Sequence, residues 1–212
     1  MNENPDDHSR SGSGEISTNI LRSTTPGFRE ILPHILALSN SIFSAIPRDP
    51  GAHDEQTCKS HHGSLNEWLR RSSLPGAFIV YLTRCEPTSI HIYPPNPYPP
   101  KSEEVVAFAI VHPRAHDDVP LSSSETKSDH IWIAGVRPDI RRLGCLERMM
   151  QSVEAEIREA TLRSDADRRE TPVTICTVPS RFPVMWSWLL ARNWNVEREM
   201  KGKILLSKHV RL

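Results

Sequence analysis

A mixed α/β layer fold is what the sequence predicts, and three observations carry that expectation. Short runs rich in β-branched and aromatic residues, "GAFIVYLTRC", "VVAFAIVH", "HIWIAGV" and "PVTICTV", read as strands. Around them lie stretches whose apolar residues recur every three or four positions, the spacing of an amphipathic helix. Their order, β-α-α-β-β-β-α-β-α-β-β, suits one layered domain better than separate all-helix and all-strand units. A chain of 212 residues is long enough for one sizeable core.

Taken in turn, residues 1–14 are rich in Asn, Asp, Ser and Gly and are expected to form a disordered tail. "EISTNILRST" is a candidate first strand. Ile31, Ile35, Leu36, Leu38, Ile42 and Phe43 predict a helix from about Phe28 to Ala45. "PRDPGAHDEQTCKSHHGS" is loop by its Pro, Gly and polar content, and Ser64 with Glu67 three residues later has the capping-box spacing of a short helix. Two polar inserts, at 86–104 and 113–129, read as surface elaborations of a hairpin series, since the first is punctuated by Pro and cannot be central sheet. From Leu143 onward Leu146, Met149, Met150, Val153, Ile157 and Leu162 predict a helix of roughly 20 residues, about 30 Å long. Its wet side offers Glu154–Arg158 and Glu159–Arg163 as ion pairs one turn apart. "SRFPVMWSWLLARN" is a further helix with Pro183 in its first turn, and "WNVEREM" and "ILLSKHV" close the chain as a hairpin.

Composition removes several function classes. Lysine plus arginine equals aspartate plus glutamate, 26 against 26, so no general attraction to nucleic acid or to an anionic membrane is expected. Any anion site must be local. The four cysteines lack C-x-x-C spacing, and Cys145 and Cys176 fall in apolar stretches where a buried thiol is the plain reading. No stretch of about 18 apolar residues predicts a membrane span, and the opening residues lack the apolar core of a signal peptide. An intracellular setting, cytoplasmic or nuclear, is expected.

One stretch carries chemistry. "HIWIAGVRPDIRRLGCLERMM" runs from strand to helix through two arginines and one glycine. The first turn of a helix leaves N–H groups without intrahelical acceptors, and the helix dipole adds partial positive charge there. A glycine admits another group close to the backbone, and arginine pairs with phosphate in a bidentate manner. The segment therefore suits a diphosphate, although the same pattern fits an ordinary turn with solvated arginines. The nucleotide-loop patterns G-x-x-x-x-G-K-[ST] and G-x-G-x-x-G are absent.

At these residues the sequence resembles the GNAT family, the Gcn5-related N-acetyltransferases. That family's signature is a strand ending in V-x-P, then [RQ]-x-x-G-x-[GA] at the start of a long helix. Here it reads Val136-Arg137-Pro138, then Arg141-Arg142-Leu143-Gly144-Cys145-Leu146. The element order is also the family's, so the likeness covers about residues 15–210, and "IFSAI…LNEWLRRSSLPGAFIVYL" is similar to an arrangement in fungal members. The resemblance implies a GNAT acyl-CoA N-acyltransferase fold over residues 15–212, with a mixed, mostly antiparallel central sheet flanked by helices. It implies acetyl-coenzyme A as co-substrate, with the diphosphate on Arg141, Arg142, Leu143, Gly144, Cys145 and Leu146. The pantetheine arm would lie along Ala134, Gly135 and Val136, and the thioester would sit where that strand and "VTICTV" splay apart.

The implied reaction is direct attack of an amine on the thioester. An amine with a pKa around 10.4 is almost wholly protonated near neutrality, so a base is useful. By family resemblance the base position is held by His130, which also reads as a surface histidine at a strand start. Glu67 and Trp68, on a helix that walls the acceptor site in the family, are candidates for substrate contact, with a core role for Trp68 as the competing reading. Two departures from the pattern stand out: Leu146 replaces a small residue, and Leu189 occupies the place of a tyrosine that protonates the departing thiolate. They motivate an alternative, a non-catalytic acyl-CoA-binding relative used in regulation or interaction. "CKSHH" and "HPRAHDD" lack zinc-site spacing, so no metal is expected, and without a G-x-S-x-G elbow a serine hydrolase is rejected. Trp186, Trp188 and Trp194 read as core. The acceptor, a small-molecule or peptide amine, and the oligomeric state are not legible.

Overall fold

The computed structural model describes residues 15–44, 64–85, 103–116, 119–164 and 169–211. Within them the elements follow the predicted order: β1 (Glu15–Leu21), α1 (Phe28–Ser44), α2 (Leu65–Ser72), β2 (Phe78–Cys85), β3 (Glu103–Ala115), β4 (Lys127–Val136), α3 (Cys145–Ser164), β5 (Glu170–Thr177), α4 (Pro183–Leu190), β6 (Asn195–Met200) and β7 (Lys203–Arg211). The proposed tail at 1–14, most of the insert at 86–104 and the Cys58-His61-His62 loop lie outside the described residues. The strands form one sheet in the order β1-β2-β3-β4-β5-β7-β6. Every neighbouring pair is antiparallel except β4 and β5, which are joined through α3 and run parallel.

Strand alternation divides the apolar residues between two cores, one on each sheet face. On one face Val80, Leu82, Ala107, Ala109, Val111, Ile131, Val173 and Ile175 meet Cys145, Met149, Met150, Val153 and Ile157 of α3, with Leu189 and Trp194 completing the layer. On the other, Ile79, Phe108 and Ile110 meet Leu32, Ile35, Leu38 and Ile42 of α1 and Trp68 of α2. Each face is thus closed by the helix whose apolar stripe it complements.

Several local expectations are corrected. Both ends of the second insert are sheet: Pro113, Arg114 and Ala115 of β3 pair with Asp129, Ser128 and Lys127 of β4. Pro113 is tolerated because the β2 pairing has already ended at Phe78↔Val111, so no ladder bond is lost on that side. Leu162 is 54% exposed, and Thr161 turns inward in its place, donating to the Ile157 carbonyl at 2.9 Å. Glu159 and Arg163 pair as expected, but Glu154 reaches across to Lys208 at 2.6 Å while Arg158 bonds the Arg211 carbonyl at 2.9 Å. Tertiary partners outcompete the helical neighbour. The capping box is half formed: the Glu67 amide donates to Ser64 Oγ, but the Glu67 carboxylate turns to Arg70 and Arg71.

The β4 strand is bent at one place. Ile110 and Val111 are consecutive on β3, yet their partners are Ile133 and Ile131, so Trp132 is an extra residue bulged out of the ladder. Just beyond, Gly135 lies so close to α1 that an added Cβ would meet Ile42 Cδ1 at 3.0 Å and Phe108 Cε1 at 3.1 Å. Gly135→Val should therefore lower stability by about 1–3 kcal/mol, the usual cost of overpacking. A urea midpoint equal to that of the wild-type protein would show that this packing is looser than described.

Candidate functional site

The site begins where β4 and β5 part. Their parallel pairing covers Asp129–Ile131 against Val173–Ile175 and stops at the Trp132 bulge. Past that point the β4 edge facing β5 is open. The Arg137 amide donates to the Val106 carbonyl at 2.9 Å, and alternation along an antiparallel ladder then turns the amides of Gly135 and Ile133 toward β3 as well. Ala134 and Val136 consequently direct their N–H and C=O groups away from β3, toward the opening. Arg141 Nε donates to the Val136 carbonyl at 3.2 Å.

The turn after β4 is built to expose backbone. Arg137 holds it, pairing with Glu104 and, at 2.6 Å, with Asp139. A 3₁₀ turn, Pro138–Ile140, follows, and Arg142 and Gly144 adopt φ of +72° and +76° before α3 starts at Cys145. Gly144 answers the positive φ, and a Cβ added there would meet nothing within 4 Å. The space beside it is open. Arg148 is the first residue of this stretch to find a helical acceptor, the Gly144 carbonyl at 3.0 Å, so the amides of Cys145, Leu146 and Glu147 have none within the helix. Cys145 is buried, and Leu146 leans on the core beneath α3 and does not crowd the turn.

A cleft of about 720 Å³ adjoins the parting strands. Ile133, Ala134, Ile175, Val178, Phe182 and Met185 form its apolar wall, while Arg71, His112, Arg114, His130, Arg181 and Lys203 also line it. Among the described residues no carboxylate lines it. His130 is therefore not the surface histidine of the competing reading: it is 6% exposed and faces the cleft. Cys176 lines the cleft too, contrary to the buried reading.

Hydrogen bonds fix the state of His130. Arginine only donates, so the contact of Arg114 Nη1 with His130 Nε2 at 3.3 Å makes Nε2 the acceptor and leaves the proton on Nδ1. That Nδ1–H donates to Thr174 Oγ1 at 2.9 Å. From the other end Arg198 Nη2 contacts His116 Nδ1 at 3.5 Å, so His116 Nε2–H donates to Ser128 Oγ at 2.8 Å, and the Ser128 and Thr174 hydroxyls share one hydrogen bond at 2.8 Å. All four side chains in this chain are buried. Burial first, then the positive charge of Arg114, holds the His130 pKa well below the usual histidine value. Beside it His112 donates from Nδ1 to the Pro113 carbonyl at 2.9 Å and faces Arg71 Nη1 across 3.4 Å, and burial lowers its pKa as well.

The α2 candidates do not touch the cleft. Trp68 is fully buried, with its ring 5.8 Å from Phe108 and 5.6 Å from Trp132, so the core reading holds. Glu67 pairs with Arg70 and Arg71, and those hydrogen bonds lower its pKa to about 2. Its neighbour Arg71 is the residue that reaches the cleft, stacked 4.4 Å from the Trp132 ring. Leu189, in the tyrosine position, is buried in the core. Among the described residues no three His, Cys, Asp or Glu side chains converge as a metal set, and no helix is long and apolar enough to cross a membrane. Arg71, Arg114, Arg181 and Lys203 were not singled out by sequence. Arg114 had a usable signal: it stands two residues after His112, hence on the same strand face, once the strand is carried through Pro113.

No family model and no curated protein sequence matches the chain. Solved structures do match in shape. The complex of Arabidopsis thaliana NAA60 with a bisubstrate analogue superposes with a TM-score of 0.53 at 12% identity, over 92% of this chain and 98% of that one. The fold is that of the GNAT acetyltransferases. The aminoglycoside N-acetyltransferase AAC(6')-Iy in complex with CoA gives 0.53 at 12% identity over 90% and 94% of the two chains. An acyl-CoA N-acyltransferase from Pseudomonas aeruginosa gives 0.52 at 12% over 92% and 99%. At such identities the likeness is one of GNAT architecture.

Because His130 and His112 bind protons more weakly folded than unfolded, the unfolded chain takes up more protons below about pH 6.5. Their contribution to stability is complete above that pH and is lost as pH falls toward the folded values. Melting temperature should drop between pH 7 and 5, and His130→Gln should flatten that slope. An equal slope in the variant would mean that His130 is not held neutral.

Proposed function

We propose that the chain is an N-acetyltransferase that binds acetyl-coenzyme A and transfers its acetyl group to an amine. The observation that carries this reading is the β4 edge at Ala134 and Val136, left unpaired by β5 and followed in the chain by α3 amides that have no helical acceptor. An extended pantetheine arm has amide groups that pair with such an edge as a short strand would. The amides of Cys145, Leu146 and Glu147, with Arg141 and Arg142 beside them, suit the diphosphate. That solved structures of the same fold hold CoA or a bisubstrate analogue supports the assignment.

In this reading the acetyl thioester lies at the parting of β4 and β5. The amine nitrogen attacks the carbonyl carbon, and the Ala134 N–H donates to the oxygen as negative charge grows there. Collapse of the tetrahedral species breaks the C–S bond and releases the coenzyme thiolate. The amine loses one proton and the thiolate gains one, so the exchange balances through a protein group or solvent. His130 is the proposed proton acceptor: it is neutral, it faces the cleft, and its Nδ1 is backed by the Thr174–Ser128–His116 chain. A second reading, acyl-CoA binding without transfer, is favoured by one observation, the burial of Leu189 where a thiolate-protonating tyrosine would stand.

Acetyl-coenzyme A at a hundredfold excess over its dissociation constant should stabilise the protein by about 2.7 kcal/mol, roughly 5–10 °C in Tm. Gly144→Glu should abolish that shift, whereas Gly144→Asn, which tolerates a positive φ, should keep most of it. Equal protection of the Glu variant would remove the diphosphate from this turn. With amines added, free thiol release separates enzyme from binder. His130→Gln should cut the rate about 10²-fold with acetyl-coenzyme A affinity unchanged, and an equal rate would take His130 out of the mechanism.

A further inference from the structure

The charges around the cleft are distributed by sheet face. Along β3, Phe108, Ile110, His112 and Arg114 share the face covered by α1 and α2, because alternate strand residues point the same way. His130 lies opposite His112, and Thr174 opposite His130, so both belong to this face as well. Arg71 arrives from α2 and contacts His112, and Lys203 comes from the far side on β7. The turn at 141–146 leads into α3, which packs on the other face. The cations beside His130 are therefore separated by the sheet from the face that α3 covers.

These cations are not all neutralised by the protein. Arg71 is paired with Glu67 at 2.6 Å. Arg114, by contrast, contacts His130 Nε2 at 3.3 Å and Cys176 Sγ at 3.7 Å, and no carboxylate among the described residues lies within ion-pair distance of it. A half-buried guanidinium whose partners are an imidazole and a thiol is poorly satisfied, since neither supplies negative charge. An acceptor bearing only amines would add positive charge to this wall, and like charge in a partly dry cleft is costly.

We propose that the acceptor is an amine carrying an oxyanion near its nucleophilic nitrogen, a carboxylate in an amino-acid-like substrate, and that Arg114 receives it. The inference rests on the acetyltransferase reading and assigns the substrate class of that same cleft. The geometry adds a coupling. Arg114 donates to His130 Nε2, the lone pair that would accept the proton of the amine. A carboxylate accepts from a guanidinium more strongly than a neutral imidazole does, so arrival of the acceptor draws Arg114 off Nε2. Oxyanion recognition and exposure of the base become one event. Arg71 and Lys203 extend the same positive wall.

The test compares matched pairs: an amino acid, its C-terminal amide, and its aminophosphonate analogue, each with acetyl-coenzyme A and a free-thiol readout. Amidation lowers amine basicity, which by itself favours the amide, so a preference for the acid reports recognition of the anion. The acid should exceed the amide in kcat/KM by at least about tenfold, as expected for a charge-assisted bond. Arg114→Gln should collapse that ratio, lowering the rate with the acid and, because Nε2 of His130 is then free, raising that with the amide; a ratio kept at the wild-type value would overturn the proposal. A phosphonate equal to the carboxylate would retain the oxyanion class and overturn the carboxylate assignment. Thiol release with amides or polyamines equal to or above that with acids would overturn the proposal while leaving the acetyltransferase reading intact. If acetyl-coenzyme A gives no protection, that reading fails first; the proposal is then overturned unless the amino acid alone raises Tm above its amide and Arg114→Gln removes the difference.

Discussion

One irregularity in a strand organises the candidate site. Trp132 is an extra residue between Ile131 and Ile133, and the parallel ladder with β5 ends beside it. Without that bulge β4 would continue along β5, and the backbone groups of Ala134 and Val136 would be consumed in sheet. With it they stay free of β5, and the Val136 carbonyl accepts from Arg141 Nε. The extra residue is held in place from the α1/α2 face, where the Trp132 ring packs against Trp68 and takes Arg71 over its plane at 4.4 Å. The fully buried Trp68 thus acts on the cleft through the strand it supports and does not itself line it.

The parallel pair also explains why a helix start adjoins the opening. Parallel neighbours need a crossover, and α3 supplies it, entering from the end of β4 that has parted from β5. The first turn of α3 therefore lies at the mouth of the gap, and Gly144 at φ +76° keeps the approach clear. Each sheet face then has its own task. One carries the crossover helix and its apolar seam; the other gathers His112, Arg114 and His130 with Arg71. The buried sequence His130–Thr174–Ser128–His116 runs within the sheet at the base of that cationic group, with an imidazole N–H donated to a hydroxyl at each end.

Much of this was legible from the chain as written. The strand and helix order follows from apolar runs and their period, and the V-x-P to glycine junction marks the start of α3 because turn chemistry is local. What escaped depends on partners distant in sequence. Pro113 reads as a strand end, and only the early termination of β2 lets β3 continue to Ala115. That extension is what brings Arg114 onto the His130 face. Glu67 and Trp68 sit on the right helix, yet the residue reaching the cleft is Arg71, one turn further on. A bulge leaves no mark in composition, since it is a mismatch between two registers. Leu146 illustrates the reverse: it stands where the family pattern has a small residue, and its side chain packs against the core.

The central claim is that the parted edge of β4 receives an extended acyl carrier whose diphosphate rests on the first turn of α3. A crystal structure with coenzyme A bound tests it most directly. The account predicts pantetheine amides hydrogen-bonded to Ala134 and Val136 and phosphate oxygens within reach of the amides of residues 142–147. Coenzyme bound elsewhere, or a β4–β5 ladder that zips past Ile131 when it binds, would contradict it.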